Sequence, residues 1–506
     1  MHLYYNTNQT ILPLELASCL PPNHIVFTIE MVVNELDDAL FQSFYHDYGR
    51  PSYHPKLLLS ALLFAYSQGI FSGRKIAKLM QENLAMQYLT GQLTVSYRTI
   101  NRFRVANSME TIIQNLFIEL NLRLKMEDLI SLDCIYIDGT KIEANANKYS
   151  FVWKKATEKF SAKLQTSLKT YFQEEITPLI HEAIELDEED LITSEHLAEF
   201  TALLESELEE IDQDIKTQPV KGKDERKGKR RKLRKVLRKV REDFSVRAEK
   251  YENYQETFQG RNSFSKTDTD ATFMRLKDDH MNNGQLKAAY NLQIATENQF
   301  TLHYDIFPNP TDTRTLMPFL NSYPHPLKTI VADAGYGSEE NLVTLNKQGI
   351  EHLIKYSLFD KEQKKRHQQS DKNLANWIYD EKTDTYRHPE GHEYVFHHLK
   401  HEQTESGFEK ETKVYYAVHP DLAPQKGLYI NERYQQLKKE ESKALLSEEG
   451  SRIFAQRKVD VEPVFGQIKA YLGYKRCNLR GNRQVKIDMG LVLMANNLLK
   501  YNRRRA

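Results

Sequence analysis

Residues 288–307 restrict the fold of this chain more than any other stretch. In AAYNLQIAT, Tyr290, Leu292 and Ile294 alternate with other residues, and in FTLHYDIF the same is true of Phe300, Leu302, Tyr304 and Ile306. A period of two marks a strand with one buried face. Only Glu297-Asn298-Gln299 separates the two runs, so they read as an antiparallel hairpin.

Neighbouring segments extend that hairpin into a sheet. SLDCIYIDG is a strand rich in Ile and Leu, ending at Asp138-Gly139. After the hairpin, DTRTLMPFLNSY is a short helix capped by Thr311 or Asp312, and KTIVADAG is a buried strand. SEENLVTLNKQG is a helix begun by Ser338 and closed by Gly349, and IEHLIKYS is a further strand. Strand, strand, strand, helix, strand, helix, strand is the element order of an RNase H-like core, an α/β fold with a mixed sheet.

Other segments surround and interrupt this core. Residues 26–125 read as helical, with Leu57, Leu58, Ala61, Leu62 and Ala65 on one helix face. SGRKIAKLMQENLAMQYLTG follows as two short helices, the first capped by Ser72. VSYRTINRFR then crowds Arg98, Arg102 and Arg104 into one element. A helix-turn-helix with a basic flank and an ordinary helical bundle both fit this pattern.

A first interruption, about 150–260, has an acidic arm (EAIELDEEDLITSEHLAEFTALLESELEEIDQDI) and a basic one (KGKDERKGKRRKLRKVLRKVREDF). Leu197, Phe200, Leu204, Leu208 and Ile211 suggest amphipathic helices. The arms read as a self-paired helical hairpin, or as a carrier for a DNA-binding helix at Lys227–Arg241; one face can pair internally while the other meets phosphate. A second interruption, about 360–450, alternates aromatics in NWIYDEKTDTYRHPEGHEYVF, suggesting a small β insertion ahead of a helical return. Trp377 and Tyr379 in it are either core residues or platforms for an unpaired base. His388, His392, His397, His398 and His401 cluster there without a metal-ligand motif and read as a solvated face.

Composition excludes several classes. Lys+Arg 70 balances Asp+Glu 70, so any nucleic-acid interface must come from local patches. Cys19, Cys134 and Cys477 are far apart and form no C-x-x-C pair, which argues against a disulfide framework or a cysteine zinc site. MHLYYNTNQT lacks the basic start and apolar run of a signal peptide, and Met489 to Leu499 is about half the ~20 residues of a membrane span. These features lead one to expect a soluble, cytoplasmic protein.

Three carboxylates stand where such a core can use them. Asp138 ends the first core strand, Asp333 in VADAGYGS ends the fourth, and these two strands are neighbours in the expected sheet. Glu462, in RKVDVEPVFGQIK, lies on a helical segment whose Val461, Val464, Phe465 and Ile468 give it an apolar face. Pro463 disfavours helix at Glu462 itself, which reads as a first-turn residue. Lys469 is seven residues further, two turns along the same side, within reach of a phosphate. Asp138-Gly139 taken alone is also a common hairpin turn, and Asp333 can simply cap a turn. Together, the three acids form a set of hard oxygen ligands for two Mg²⁺ ions, the requirement of phosphodiester chemistry without a protein-bound intermediate.

The sequence resembles the DDE-type transposases of bacterial insertion sequences, in the group with an N-terminal helical domain and a split RNase H-like core. The resemblance rests on YHPKLLLSALLFAYSQGIFSGRKIAKL, IDGTKIEANANKYSF, TDTDATFM, YNLQIAT, VADAGYGSEEN, RKVDVEPVFGQIKAYLGYKRCNLRG and ANNLLK. It implies Asp138, Asp333 and Glu462 as catalytic metal ligands, with two Mg²⁺ (or Mn²⁺) ions per site. It implies Lys469 and Arg457 as DNA contacts, although Phe454 stands where relatives carry tyrosine and the Arg457-to-Glu462 spacing is one residue longer. Further candidate phosphate contacts are Arg476, Arg480, Arg483 and Arg503 to Arg505, beside Arg98, Arg102 and Arg104. The implied partners are double-stranded DNA, at the element's inverted repeats and at the target, and further copies of the chain in a dimer or larger complex. The expected division is a helical, DNA-binding domain (1–128), core segments (129–150 and 266–358), a charged helical insertion (151–265), a β/α insertion (359–450) and the glutamate and C-terminal helices (451–506). A nuclease without strand transfer, and a DNA-binding protein without catalysis, are the competing readings.

Overall fold

The computed structural model describes residues 15–45, 52–179, 191–219, 224–276 and 285–505. MHLYYNTNQT and the first part of the acidic arm lie outside them. The chain divides into two compact units, one of residues 1–143 and 290–506, the other of residues 144–289.

The first unit opens with α1 (Ile25–Asn34), α2 (Pro55–Ser67), α3 (Gly73–Glu82), α4 (Leu84–Thr90), α5 (Tyr97–Arg104) and α6 (Met109–Met126). Local chemistry sets these boundaries. Pro55 opens α2 where its missing N–H is harmless, and the Asn83 side chain between α3 and α4 accepts from the Met86 amide. Ser72 occupies the cap position of α3 but makes no side-chain cap bond. β1 (Cys134–Glu143) follows. It continues past Asp138-Gly139, so that dipeptide lies inside a strand and is not a turn; Thr140 and Ile142 are buried and carry the alternation onward.

The second unit contains β2 (Phe151–Trp153), α7 (Lys154–Tyr171), α8 (Ser194–Thr217), α9 (Glu225–Lys239), α10 (Val246–Phe258), β3 (Ser263–Ser265) and β4 (Thr272–Arg275). Its core is built from Leu164, Leu168, Leu197, Phe200, Leu204, Ile211, Leu233, Val236, Leu237 and Val240, among others. The acidic α8 packs along the basic α9, with ion pairs Lys229–Glu207 (3.3 Å), Arg230–Asp212 (2.8 Å), Arg234–Asp212 (3.2 Å) and Arg241–Glu205.

β5 (Leu286–Glu297) passes from one unit to the other, and its first residues pair with β4. Its remainder forms the expected hairpin with β6 (Phe300–Phe307), antiparallel from Asn291↔Phe307 to Glu297↔Phe300. α11 (Leu316–Asn321), β7 (Thr329–Ala332), α12 (Glu339–Gln348) and β8 (Glu351–Ile354) follow. Ser338 caps α12 through the Asn341 amide, and Gly349 ends it in the left-handed region. The sheet runs β6-β5-β1-β7-β8, with β1–β7 and β7–β8 parallel. This mixed sheet with its order of helices is the RNase H-like fold.

After α13 (Phe359–Glu362) and α14 (Lys365–Gln368), β9 (Ile378–Asp380), β10 (Thr385–Arg387), β11 (Glu393–Gln403), β12 (Glu409–Ala417) and β13 (Gly427–Ile430) form a separate antiparallel sheet. Trp377 is in its core, with the indole N–H donating to the Asp371 carbonyl at 2.6 Å, while Tyr379 is exposed and rests on Tyr386. Three helices complete the chain: α15 (Glu432–Leu446), α16 (Glu448–Gly466) and α17 (Asn482–Arg505). α17 is mostly buried and packs on α1, α2, α6 and β6. Among the described residues no helix is long and apolar enough to cross a membrane.

Pro463 lies inside α16, so Glu462 is not a first-turn residue. A proline there deprives the Val459 carbonyl of its helical donor. The Gln299 side chain, from the β5–β6 turn, donates to that carbonyl at 3.0 Å instead. A long-range side chain thus repairs the break that sequence alone suggests.

Candidate active site

The site grows from the β1–β7 register. Ile137 lies opposite Ala332, the last residue of β7, in a parallel pair, so the next residues, Asp138 within β1 and Asp333 just past β7, follow side by side. Each carboxylate is oriented by a nearby amide: Gly139 N–H donates to Asp138 Oδ1 and Gly335 N–H to Asp333 Oδ1, both at 2.8 Å. α16 packs across β1 and β7, and from it Arg457 donates to Asp138 Oδ2 at 3.0 Å. Twelve residues on, the Lys469 ammonium donates to Thr140 Oγ1 at 2.8 Å. Thr140 is two residues from Asp138, on the same face of β1.

A carboxylate that the sequence reading treated only as a possible helix cap also belongs here. Thr311 caps with no side-chain bond, and Asp312 turns inward. Its Oδ1 accepts from Asn291 Nδ2 (2.7 Å) and Gln293 Nε2 (2.9 Å), both on β5. Gln293 is held in that orientation because its Oε1 accepts from the buried Tyr336 hydroxyl. Burial, then the charges of Asp312, Asp138 and Asp333, push the Tyr336 phenol well above its ordinary range, so it remains a donor. A Cβ on Gly335 would stand 3.0 Å from Asp333 Oδ1 and 3.4 Å from Asp312 Oδ2, and one on Gly139 would collide with Gln293 beside Asp312. These two glycines leave space among three acids. The signal for Asp312 in the sequence was Asn291 and Gln293, polar residues on the buried strand β5.

Glu462 is exposed on α16 and has no hydrogen bond or ion pair to either aspartate. Along the chain it falls between Arg457 and Lys469, which lies in the π-helical turn Gln467–Tyr471 that continues α16. Among the described residues no three His, Cys, Asp or Glu side chains stand at metal-holding spacing. The histidines of the β insertion make no such group either. Asp460, the other acid of this segment, is spent elsewhere: its carboxylate accepts from the Gln299 amide at 3.1 Å, and burial raises its pKa.

The basic candidates separate by burial. Arg98, Arg102, Arg476 and Arg480 are exposed; Arg476 stands 3.8 Å from Glu143. Arg483 is committed to the Val105 and Ala106 carbonyls that follow α5. Arg104 is not a phosphate contact. It is buried and donates to the Tyr66 hydroxyl (3.1 Å) and the Phe71 carbonyl (2.7 Å), beside Asp488 of α17, because an apolar bundle surrounds the end of α5. Arg457 likewise faces inward, 9% exposed, and its charge is taken by Asp138 rather than left for DNA.

The sheet and the three aspartates gathered on it define a domain of the RNase H-like class. Residues 261–498 match the family described as Transposase DDE domain, and residues 14–106 match a second family described as a transposase domain. The chain belongs to the DDE-type transposases of insertion elements, and its activity is in transposition, as a polynucleotidyl transferase or nuclease. The DDE match includes Asp333, Arg457 and Glu462, while Asp138 lies ahead of it. No curated protein matches the chain.

Proposed function

We propose that the chain cuts DNA at the inverted repeats ending its own element and joins the freed 3′ ends to target DNA, with divalent metal held by Asp138, Asp333 and Glu462. The observation carrying this reading is the Ile137↔Ala332 register, which sets Asp138 and Asp333 side by side. The donor set fits a hard cation: carboxylate oxygens carried by β1 and by the residue that follows β7, around a space that a Cβ at Gly139 or Gly335 would fill. Arg457 is already a positive charge on Asp138, so the acids tolerate each other's proximity before a cation arrives. Bound Mg²⁺ or Mn²⁺, two ions in this proposal, supplies Lewis acidity to the attacking and leaving oxygens.

The remaining work falls to the protein. Asp138 and Asp333 hold their carboxylates through the Gly139 and Gly335 amides, and Asp312 is fixed by Asn291 and Gln293 at the side. Glu462, exposed and with no hydrogen bond or ion pair among the described residues, is the acid available to close on substrate. Lys469, anchored on Thr140, offers its charge to a phosphate beside the scissile bond, and the exposed Arg98, Arg102, Arg476 and Arg480 hold flanking duplex. Assembly as a dimer or larger complex on DNA brings two ends together.

The test is a Mg²⁺-dependent cleavage and joining assay on duplexes carrying the element's ends. Asp138→Asn, Asp333→Asn and Glu462→Gln should each lower the cleavage rate about a thousandfold or more, roughly 4 kcal/mol of transition-state stabilisation, with end binding retained. Cleavage at wild-type rate in any of the three removes that residue from the site. Wild-type cleavage without joined product reduces the activity to that of a nuclease.

A further inference from the structure

The basic helix α9 is two-faced, and the hairpin consumes only one side of it. Lys229 and Arg230 lie toward α8 and pair with its acids, as do Arg234 and Arg241. Leu233, Val236, Leu237 and Val240 fill the core beneath. On the other side Arg231, Lys235 and Arg238 are exposed, with Lys232 flanking them, and none has an acid within 4.0 Å among the described residues. Spacings of four and three place Arg231, Lys235 and Arg238 in one row on the helix.

We propose that this row is a sequence-independent seat for the backbone of duplex DNA. The row is about 10.5 Å long at 1.5 Å per residue, and phosphates along one strand of duplex succeed each other about every 3.4 Å of axis, so three cations match about three phosphates. Alternative occupants fit worse. No aromatic residue lies in α9 to stack an unpaired base, and its apolar residues are all committed to the core, leaving none to enter a lipid surface. Arginine and lysine also bond guanine edges, so what marks the row as a backbone seat is an equal loss of affinity for related and unrelated duplex. The inference deepens the DNA-binding part of the proposed function and is independent of the carboxylates.

Its test needs no cleavage. The full chain, in EDTA, is titrated with a labelled 20-bp duplex of unrelated sequence and with an element-end duplex, across a range of NaCl concentrations. Arg231→Gln/Lys235→Gln/Arg238→Gln should reduce the slope of log affinity against log salt by about 2.7, three phosphates at about 0.9 each, and weaken both duplexes by the same factor, on the order of a hundredfold at 0.1 M salt. Lys229→Gln/Arg230→Gln, on the paired side, should keep the wild-type slope, and circular dichroism should show wild-type helix content in both variants. An unchanged slope in the triple variant overturns the proposal. So does a loss restricted to the element-end duplex, which would make the row a base reader, or a failure of wild type to bind unrelated duplex. Loss of catalysis in the carboxylate variants leaves all these outcomes as they are, so the two readings fail separately.

Discussion

Two arginine–carboxylate pairs, one in each unit, show how differently the same chemistry is used. Arg457–Asp138 in the first unit is a pair with side chains only 10% and 14% exposed, in the middle of β1, beside two further aspartates. Arg230–Asp212 in the second unit leaves 33% and 29% exposed, and Arg234 shares the same carboxylate from the surface. In water, an ion pair gains little over the solvent it displaces; away from water, losing one partner strands the other. The first pair therefore fixes a geometry, while the second belongs to a zipper in which no single member matters much.

The largest effect that follows, after the loss of cleavage in the carboxylate variants, is on Arg457. Arg457→Met keeps the stem that packs α16 on the sheet but takes from Asp138 the guanidinium that bonds its Oδ2. We expect destabilisation of about 3 kcal/mol, the size seen when a buried pair loses one partner, measured by urea unfolding. Divalent cation should recover much of that loss, since it supplies the missing positive charge at Asp138. A variant as stable as wild type without metal would show that the pair is as well solvated as those of the hairpin, and the contrast between the two units would fail.

How much of this was legible in the sequence divides along the same line. The β5–β6 hairpin and the strand–helix alternation were readable because period-two burial and capping are local: Tyr290 to Ile306, Ser338 and Gly349 announce themselves. The adjacency of Asp138 and Asp333 followed from element order, since β1 and β7 are parallel neighbours, but Asp138 lies inside β1 and not at its end as expected, because Thr140 and Ile142 carry the strand onward. Arg104 and Arg457 misled because an arginine in a charged motif looks the same whether it faces water or a buried partner. Asp312 was passed over as a cap because what orients it, Asn291 and Gln293, lies about twenty residues away, on β5. The continuation of α16 through Pro463 depends on Gln299, more than a hundred residues distant, and no local rule reports it.

That repair is itself a test of intermediate size. Gln299→Ala removes the donor to the Val459 carbonyl and the oxygen that accepts from the Lys500 ammonium, while leaving the backbone of the turn, whose amide still bonds Asp460. Unfolding should cost about 2 kcal/mol less free energy, the usual value of two hydrogen bonds. Cleavage should fall more steeply than stability, since Glu462 lies three residues from Val459 on the same helix and depends on its course. Equal, small losses in both would mean that α16 holds its line through packing on β1 and β7 alone.

The smallest effect belongs to the zipper. Asp212→Asn removes the carboxylate shared by Arg230 and Arg234, so two pairs vanish at once. Each is partly exposed and screened by salt, so together they should be worth no more than about 1 kcal/mol at low ionic strength, and less at 0.5 M salt. The same variant leaves Arg230 and Arg234 without that partner, adding free positive charge to α9. Affinity for unrelated duplex should therefore rise, by a few-fold at most, as stability falls slightly. Those opposite signs are what a helix with one paired and one open face requires. A loss of DNA affinity on Asp212→Asn would instead mean that the ion pairs shape the DNA-binding surface, and that the two faces of α9 are not separate.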